Sequence, residues 1–186
     1  MPIRWTDNPD ADALLEREPL ALLIGLVLDQ QVKMEKAFSG PYELQKRLGS
    51  LDARAIAAMD PAELDKVFRQ RPALHRFPGS MAKRVQEMCG AVASRFGGDA
   101  SRVWSEAKTG KELAANLKSL PGFGEMKVKL TVAVLAKKFG VKPAGWEAVA
   151  ATWHSVADVD SAETMATARD VKRQMKDHDA KGKVIP

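Results

Sequence analysis

The segment Leu117–Val128 constrains the fold of this chain more than any other, because it places Pro-Gly-x-Gly between two helical patterns. The first pattern is stopped by Pro121, whose backbone nitrogen carries no hydrogen, and the second begins near Glu125. Gly122 and Gly124 permit backbone dihedral angles that are closed to other residues. The sequence therefore predicts a tight hairpin between two helices.

A hairpin of this kind directs unpaired backbone amides outward at a helix N-terminus, where the helix dipole also favours an anion. A DNA phosphate is such an anion, and a bond to it is independent of base sequence. A Pro-Gly pair also closes ordinary helix turns, and a turn that binds another protein is a further alternative. The longer motif and the lysines that follow it favour phosphate; they are Lys127, Lys129, Lys137 and Lys138.

The charge balance agrees with a polyanionic partner. The chain has 186 residues, and its 29 Lys plus Arg against 24 Asp plus Glu give a formal net charge of +5. That modest excess favours DNA through counterion release. No apolar run is long enough to span a bilayer, and Met1–Asp7 lacks the apolar core of a signal peptide. We expect a cytoplasmic, nucleoid-associated monomer without membrane contact.

Cys89 is the only cysteine in the sequence. One cysteine excludes an internal disulfide, and it excludes a four-cysteine zinc or iron–sulfur site within this chain. We expect Cys89 to be a small buried residue. Because the sequence also lacks a cluster of metal ligands, we expect no resident metal or cofactor.

The apolar periodicity is helical almost throughout, which predicts an all-α fold of roughly nine or ten helices. Leu20–Leu28 is apolar nearly all round and predicts a central buried helix, preceded by an acidic helix from about Pro9 to Glu18. Gly40-Pro41 is expected to break the next segment. Further boundaries are expected at Asp60-Pro61, Gly97–Asp99 and Thr109, and at the two ends of a last helix, Ser161 and Asp177.

A weak echo of the hairpin lies at Phe77–Val85, where Pro-Gly again precedes a helix with a basic residue and a valine at matched offsets. The second glycine is missing, so coincidence at a helix start is preferred to a second hairpin. The nearby basic side chains are candidate phosphate contacts, with a solvated basic face as the alternative. They are His75, Arg76, Lys83 and Arg84.

Three polar residues, Asp29, Gln30 and Gln31, follow the most apolar helix, where polar side chains are poor core material. They cap the helix, or one glutamine enters the DNA and fills the gap left by an extruded base. The residues alone leave both interpretations open.

With the hairpin and the Gln-Gln pair together, the chain resembles the helix-hairpin-helix (HhH-GPD) DNA glycosylase superfamily over roughly residues 18–140. The nearest resemblance is to short base-excision repair proteins of the actinobacterial type that lack the iron–sulfur cluster. It implies a two-lobed helical fold that receives a flipped base in the cleft. We expect one domain over residues 1–186, with a hairpin lobe at roughly 30–138 and a second lobe of helices at about 8–28 and 139–178. A monovalent cation at the hairpin is implied by the resemblance alone.

The resemblance carries over unevenly to individual residues. Gly122 and Gly124 match the phosphate-binding hairpin, and Gln31 falls at the gap-filling position, with Gln30 beside it. Bifunctional members attack the sugar with a lysine two residues after the second glycine, where this chain has Met126. Lys127 is one step on, roughly 100° around the helix. We therefore expect monofunctional hydrolysis of the N-glycosidic bond, without cleavage of the strand.

The catalytic acid has no clear counterpart, because the family's Val-Asp-x-His context is missing. Loss of a base develops positive charge on the sugar, so a carboxylate is needed to stabilise that charge or to activate water. Glu147 fits the implied spacing, Asp160 fits by its position before a helix, and Asp158 and Asp29 are further candidates. Each has a structural alternative as a surface residue or a helix cap.

Trp146 and Trp153 flank this uncertain segment and are candidates for stacking on a flipped base, with core packing as the alternative. Three classes of function remain. A monofunctional glycosylase that acts on a damaged or mismatched base in duplex DNA is preferred. A non-catalytic binder of damaged or bent DNA is the main alternative, followed by a helical protein that binds another protein. Contacts with DNA are expected to be independent of sequence.

Overall fold

The computed structural model describes residues 2–180. Within that range the chain forms ten α-helices and two 3₁₀ helices, with no strand and one isolated bridge, between Thr109 and Ala144. The predicted all-α fold is confirmed. The α-helices are α1 Pro9–Arg17, α2 Pro19–Leu28, α3 Met34–Leu48, α4 Ala53–Ala58, α5 Pro61–Arg69, α6 Pro78–Arg95, α7 Arg102–Ser105, α8 Gly110–Lys118, α9 Glu125–Phe139 and α10 Ala162–Ala180; the 3₁₀ helices are η1 Trp146–Ala148 and η2 Val156–Asp158.

Helix α2 lies at the centre of the core, as its sequence predicts. Every residue from Leu20 to Leu28 is buried, and α1, α3 and α6 pack around this helix. A helix that is apolar on all sides is stable in water only when other elements surround it. Its ends, by contrast, carry backbone groups that need partners.

Helix α3 runs through Gly40-Pro41 without a break, so the prediction that this pair ends the helix is wrong. An internal proline costs a helix about 3 kcal/mol. Burial of Phe38 and Leu44 on the same helix offsets that cost. Gly40 also lets α3 approach α2 closely, because a Cβ there would lie 2.4 Å from Leu28 Cδ1.

Side-chain caps confirm two predicted helix starts. The Asp60 carboxylate accepts hydrogen bonds from the backbone amides of Ala62 (2.8 Å) and Glu63 (3.3 Å) at the start of α5. The Thr109 hydroxyl accepts one from the Glu112 amide (3.2 Å) at the start of α8. Each cap satisfies an amide that has no partner within its helix.

The other helices pack mainly against α6 and α9. Helices α4 and α5 pack on α6, while α8, η1 and η2 pack on α9. Helix α10 contacts η2. The division into lobes at 30–138 and at 8–28 with 139–178 stays a prediction. Among the described residues, no helix has the length and apolar character that crossing a membrane requires.

The start of α8 generates a test of this packing. A Cβ on Gly110 would lie 2.7 Å from the Gly145 carbonyl oxygen and 2.7 Å from the Trp146 Cα atom. We expect Gly110→Ala to lower the free energy of unfolding by about 1–3 kcal/mol, because two backbone segments must separate. Urea denaturation measures this change.

Gly90→Ala is the matched control, since no atom lies within 4 Å of a Cβ added inside α6. It should raise the free energy of unfolding by about 0.5–1 kcal/mol through helix propensity. Equal effects of the two substitutions would contradict the close approach of α8 to η1.

Candidate functional site

The predicted hairpin is confirmed, since α8 ends at Lys118 and α9 begins at Glu125. Gly122 has φ +90°, in the left-handed region that favours glycine. Gly124 has φ −73° and ψ 175°, so the expectation that both glycines need special dihedral angles is wrong for Gly124. A Cβ on Gly124 would meet no atom within 4 Å. This glycine therefore leaves open surface beside the first amides of α9, which have no partner within the helix.

The lysines after the hairpin are mostly engaged with the protein. The Lys127 amine, which was predicted to bind DNA, donates to the Leu26 carbonyl at the end of α2. Burial lowers the pKa of Lys127 to about 8. Lys129 lies 3.5 Å from the Glu125 carboxylate. Lys137 pairs with Asp158, and Lys138 donates to the Val159 carbonyl (2.7 Å).

A pocket of about 490 Å³ lies where the end of α2, the hairpin and α10 meet. Trp153 lines it, whereas Trp146 does not. The charged side chains of the pocket come from four separate parts of the chain: the turn after α2 and helices α6, α9 and α10. They are the carboxylates Asp29 and Glu125 and the cations Arg84, Lys127, Lys172 and Lys176.

Asp29 is the buried carboxylate of this pocket. Its side chain is 6% exposed, and its Oδ1 atom lies 2.5 Å from the Lys172 Nζ atom. A second ion pair, between Arg169 and Glu35, also joins α10 to the region that follows α2. Sequence reasoning missed Lys172, although Ala168, Lys172 and Lys176 recur at the spacing of one helix face.

The two glutamines have different environments. Gln30 caps α2, since its Nε2 donates to the Val27 carbonyl (2.8 Å), and its Oε1 accepts from Arg84 Nη1 (3.0 Å). Gln31 is exposed and has φ +56°, the only left-handed non-glycine backbone among the described residues. Such a conformation costs of order 1–3 kcal/mol and persists only when its surroundings impose it.

His75 imposes that conformation from the turn before α6. Its Nε2 lies 2.9 Å from the Gln30 carbonyl and 3.2 Å from the Leu28 carbonyl, and its Nδ1 accepts the Phe77 amide (2.9 Å). Burial, together with the charges of Lys36 and Lys127, lowers the pKa of His75. The ring is therefore neutral with Nε2 protonated, and it lies too deep to contact a phosphate.

The predicted catalytic acids lie away from the pocket lining. Glu147 is exposed on η1. Asp158 caps η2 by accepting the Ser155 amide (3.0 Å), and Asp160 is exposed and accepts the Thr164 hydroxyl (3.0 Å). Their catalytic roles stay predictions that the pocket geometry does not support.

The other predicted contacts are more exposed. Lys83 is exposed and its Nζ lies 3.9 Å from the Glu87 carboxylate, and the Trp146 ring centroid lies 6.0 Å from Lys142 Nζ. Within the part of the chain that the structure describes, no group of three or more metal-binding side chains occurs.

Comparison with known proteins identifies the family of the chain. The family model described as HhH-GPD superfamily base excision DNA repair protein matches residues 24–178. The chain therefore belongs to the HhH-GPD superfamily, whose base-excision repair function is glycosylase-like and requires binding to DNA. No curated protein and no solved structure gives a significant match to the chain.

The open surface at Gly124 generates a direct test of the hairpin. We expect Gly124→Val to retain the fold, because its φ and ψ are accessible to valine. The branched side chain would block the first amides of α9, and loss of one hydrogen bond to a charged group costs about 1.5–3 kcal/mol, or roughly tenfold or more in affinity. Fluorescence anisotropy with an undamaged duplex measures this loss.

Gly122→Val is the companion variant, and it should destabilise the hairpin itself because φ +90° is strained for valine. Unchanged duplex affinity in a folded Gly124→Val protein would remove the hairpin as the anchor on DNA.

The lowered pKa of His75 predicts an acid-sensitive turn. A group whose folded-state pKa lies below its unfolded value of about 6.5 stabilises the fold above that pH, and the stabilisation is lost as pH falls towards the folded pKa. We expect the free energy of unfolding to fall less between about pH 7 and pH 5 in His75→Gln than in the parent, because glutamine does not titrate.

His178→Gln is the control, because it removes an exposed histidine of α10 that lies outside the turn. Chemical denaturation at both pH values compares the three proteins, and carboxylate titration is common to all of them. Parallel curves for the parent and His75→Gln would contradict the role of the neutral imidazole.

Proposed function

We propose that this chain hydrolyses the N-glycosidic bond of a damaged or mismatched base flipped from duplex DNA, as a monofunctional glycosylase. The observation that carries the proposal is the convergence of the buried Asp29 carboxylate, the exposed Gln31 and the Gly124 hairpin around one region. Asp29 and Gly124 line the pocket of about 490 Å³, and Gln31 follows Gln30 of its lining. A pocket of this volume commonly receives small organic ligands.

The chemistry requires charge stabilisation at the sugar. The bond from C1′ to the base nitrogen breaks, its electron pair leaves with the base, and water adds to C1′ and loses a proton. Asp29 is placed to stabilise the developing positive charge or to accept that proton. Glu125 also lines the pocket, but it is exposed and lies 3.5 Å from Lys129. The ion pair with Lys172 holds the Asp29 carboxylate in position.

The hairpin supports hydrolysis by water over attack by an amine. Met126 stands where bifunctional members have lysine, and its side chain is 45% exposed and carries no nucleophile. The Lys127 amine does lie in the pocket, and burial lowers its pKa to about 8. Its hydrogen bond to the Leu26 carbonyl engages it as a donor.

One observation favours the non-catalytic alternative. Four cationic side chains line the pocket against two carboxylates, and such an excess attracts a phosphate more strongly than it stabilises a sugar cation. A binder of damaged or bent DNA needs only that attraction and the hairpin.

A panel of duplexes separates these functions. Substrates that carry uracil, hypoxanthine, alkylated bases or oxidised bases are incubated with the protein and then treated with alkali. The proposal predicts strand breaks that depend on alkali, and no adduct trapped by borohydride. An adduct that disappears in Lys127→Ala would assign the attack to the amine. Absence of base release from every substrate would favour the binding function.

We expect Asp29→Asn to slow base release by roughly 10²–10³-fold, the usual effect of removing one group that stabilises a transition state electrostatically. Affinity for the lesion should change little, because asparagine keeps the shape of the side chain. Single-turnover kinetics with saturating protein measure the chemical step separately from binding.

Asp170→Asn is the matched control, because this exposed carboxylate of α10 lines none of the described pockets. Glu147→Gln, Asp158→Asn and Asp160→Asn are compared alongside. A large loss in one of these three with a small loss in Asp29→Asn would place the acid outside the pocket.

A further inference from the structure

A second groove lies beside the Gln30–Gln31 turn and shares only Lys176 with the pocket. It is open to solvent and has a volume of about 810 Å³, and Gln31 borders it, whereas Gln30 lines the pocket. Its charged side chains are all cationic, and no carboxylate lines it among the described residues. They are Lys33, Lys36, Arg76 and Lys176, beside the neutral ring of His75.

Two cations of this groove contact neighbouring groups that do not neutralise them. The Lys36 amine donates to the Ala73 carbonyl (2.5 Å), which leaves its charge uncompensated. The Arg76 guanidinium lies 5.3 Å from the centroid of the Phe77 ring. Within residues 2–178, no ion pair links Lys33, Lys36 or Arg76 to a carboxylate. Unpaired cations in a groove without a carboxylate attract a polyanion.

The position of the groove identifies which part of a polyanion it meets. The pocket includes Gly122 and Gly124, so the strand that supplies a flipped base is held on the hairpin side of the turn. No hairpin residue lines the groove. Gln31 is exposed at the edge of the groove, next to Gln30 of the pocket lining. In the proposed function, Gln31 fills the gap that the flipped base leaves. The backbone that continues past Gln31 into the groove is therefore that of the other strand.

We propose that the groove formed by Lys33, Lys36 and Arg76 binds the phosphodiester backbone of the strand that keeps its base. This inference rests on the proposed function for the placement of the first strand. The protein would then bind duplex DNA more tightly than a single strand. The hairpin binds either form of DNA, and the groove adds affinity only when a second strand is present.

Binding measurements test the groove without requiring base release. The double variant Lys33→Gln/Lys36→Gln is compared with the parent on a duplex that contains a stable abasic-site analogue and on the lesion strand alone. We expect duplex affinity to fall about tenfold at roughly 0.1 M salt, with the salt slope of duplex binding reduced by about two, one phosphate for each lysine. Affinity for the single strand should stay within about twofold, which also shows that the variant is folded.

Lys108→Gln/Lys111→Gln is the matched control, because it removes the same charge from exposed lysines that line neither the pocket nor the groove. It should lower duplex affinity much less than the groove variant. Equal losses on duplex and single strand in Lys33→Gln/Lys36→Gln would overturn the proposal, as would a loss no larger than that of the control.

Neutral phosphates identify the strand directly. Methylphosphonates are placed in the strand opposite the abasic analogue or, separately, in the lesion strand. On the first duplex the parent should lose affinity. The difference in affinity between the parent and Lys33→Gln/Lys36→Gln should then disappear, since one partner of the contact is already removed from the DNA. If that difference disappears only with methylphosphonates in the lesion strand, the groove binds the lesion strand and the proposal is overturned. An inactive parent protein would defeat the glycosylase proposal and leave this comparison intact.

Discussion

The C-terminus of α2 is the constraint on which the site depends. This helix is buried along its length, so its last four carbonyl groups need partners from elsewhere in the protein. They accept hydrogen bonds in turn from the Asp29 amide, the Lys127 amine, the Gln30 side chain and the His75 ring. The carbonyl end of the helix dipole also favours the nearby cation. The hydrogen bonds that these carbonyl groups accept therefore hold α9 and the turn before α6 at the C-terminus of α2.

This arrangement gives each polar residue after α2 a separate role. Gln30 is used inside the protein, because it caps the helix and accepts from Arg84. The strained Gln31 is left exposed, and Asp29 faces the pocket with Lys172 against it. Groups that would be costly as unpaired buried atoms are thus paired, while one carboxylate and one amide remain beside open space. The candidate site and a helix cap occupy the same few residues, which explains why the sequence allowed both interpretations.

Local signals in the sequence predict much of this fold, while the site depends on contacts between distant segments. The caps at Asp60 and Thr109 and the Pro-Gly hairpin mark boundaries because the hydrogen bonds that define them are local. The helix end predicted at Gly40-Pro41 was wrong, because tertiary packing outweighed the local cost of proline. The contact of Lys127 with the Leu26 carbonyl could not be predicted, because a helical angle fixes the Cβ direction and not the reach of a long side chain. Lys172 lies far along the chain from Asp29 and carries no local sign of the contact.

The central claim is that the α2 terminus presents Gln31 to DNA while the pocket receives an extruded base. Fluorescence of 2-aminopurine measures this directly when the probe stands next to a mismatched base, because stacking quenches its emission. Saturating parent protein should raise the emission, and Gln31→Ala should raise it much less at equal occupancy, since without a side chain to fill the gap the base returns to the stack. Unchanged emission with saturating parent protein, on duplexes that it binds, would contradict base extrusion and with it the account of the pocket.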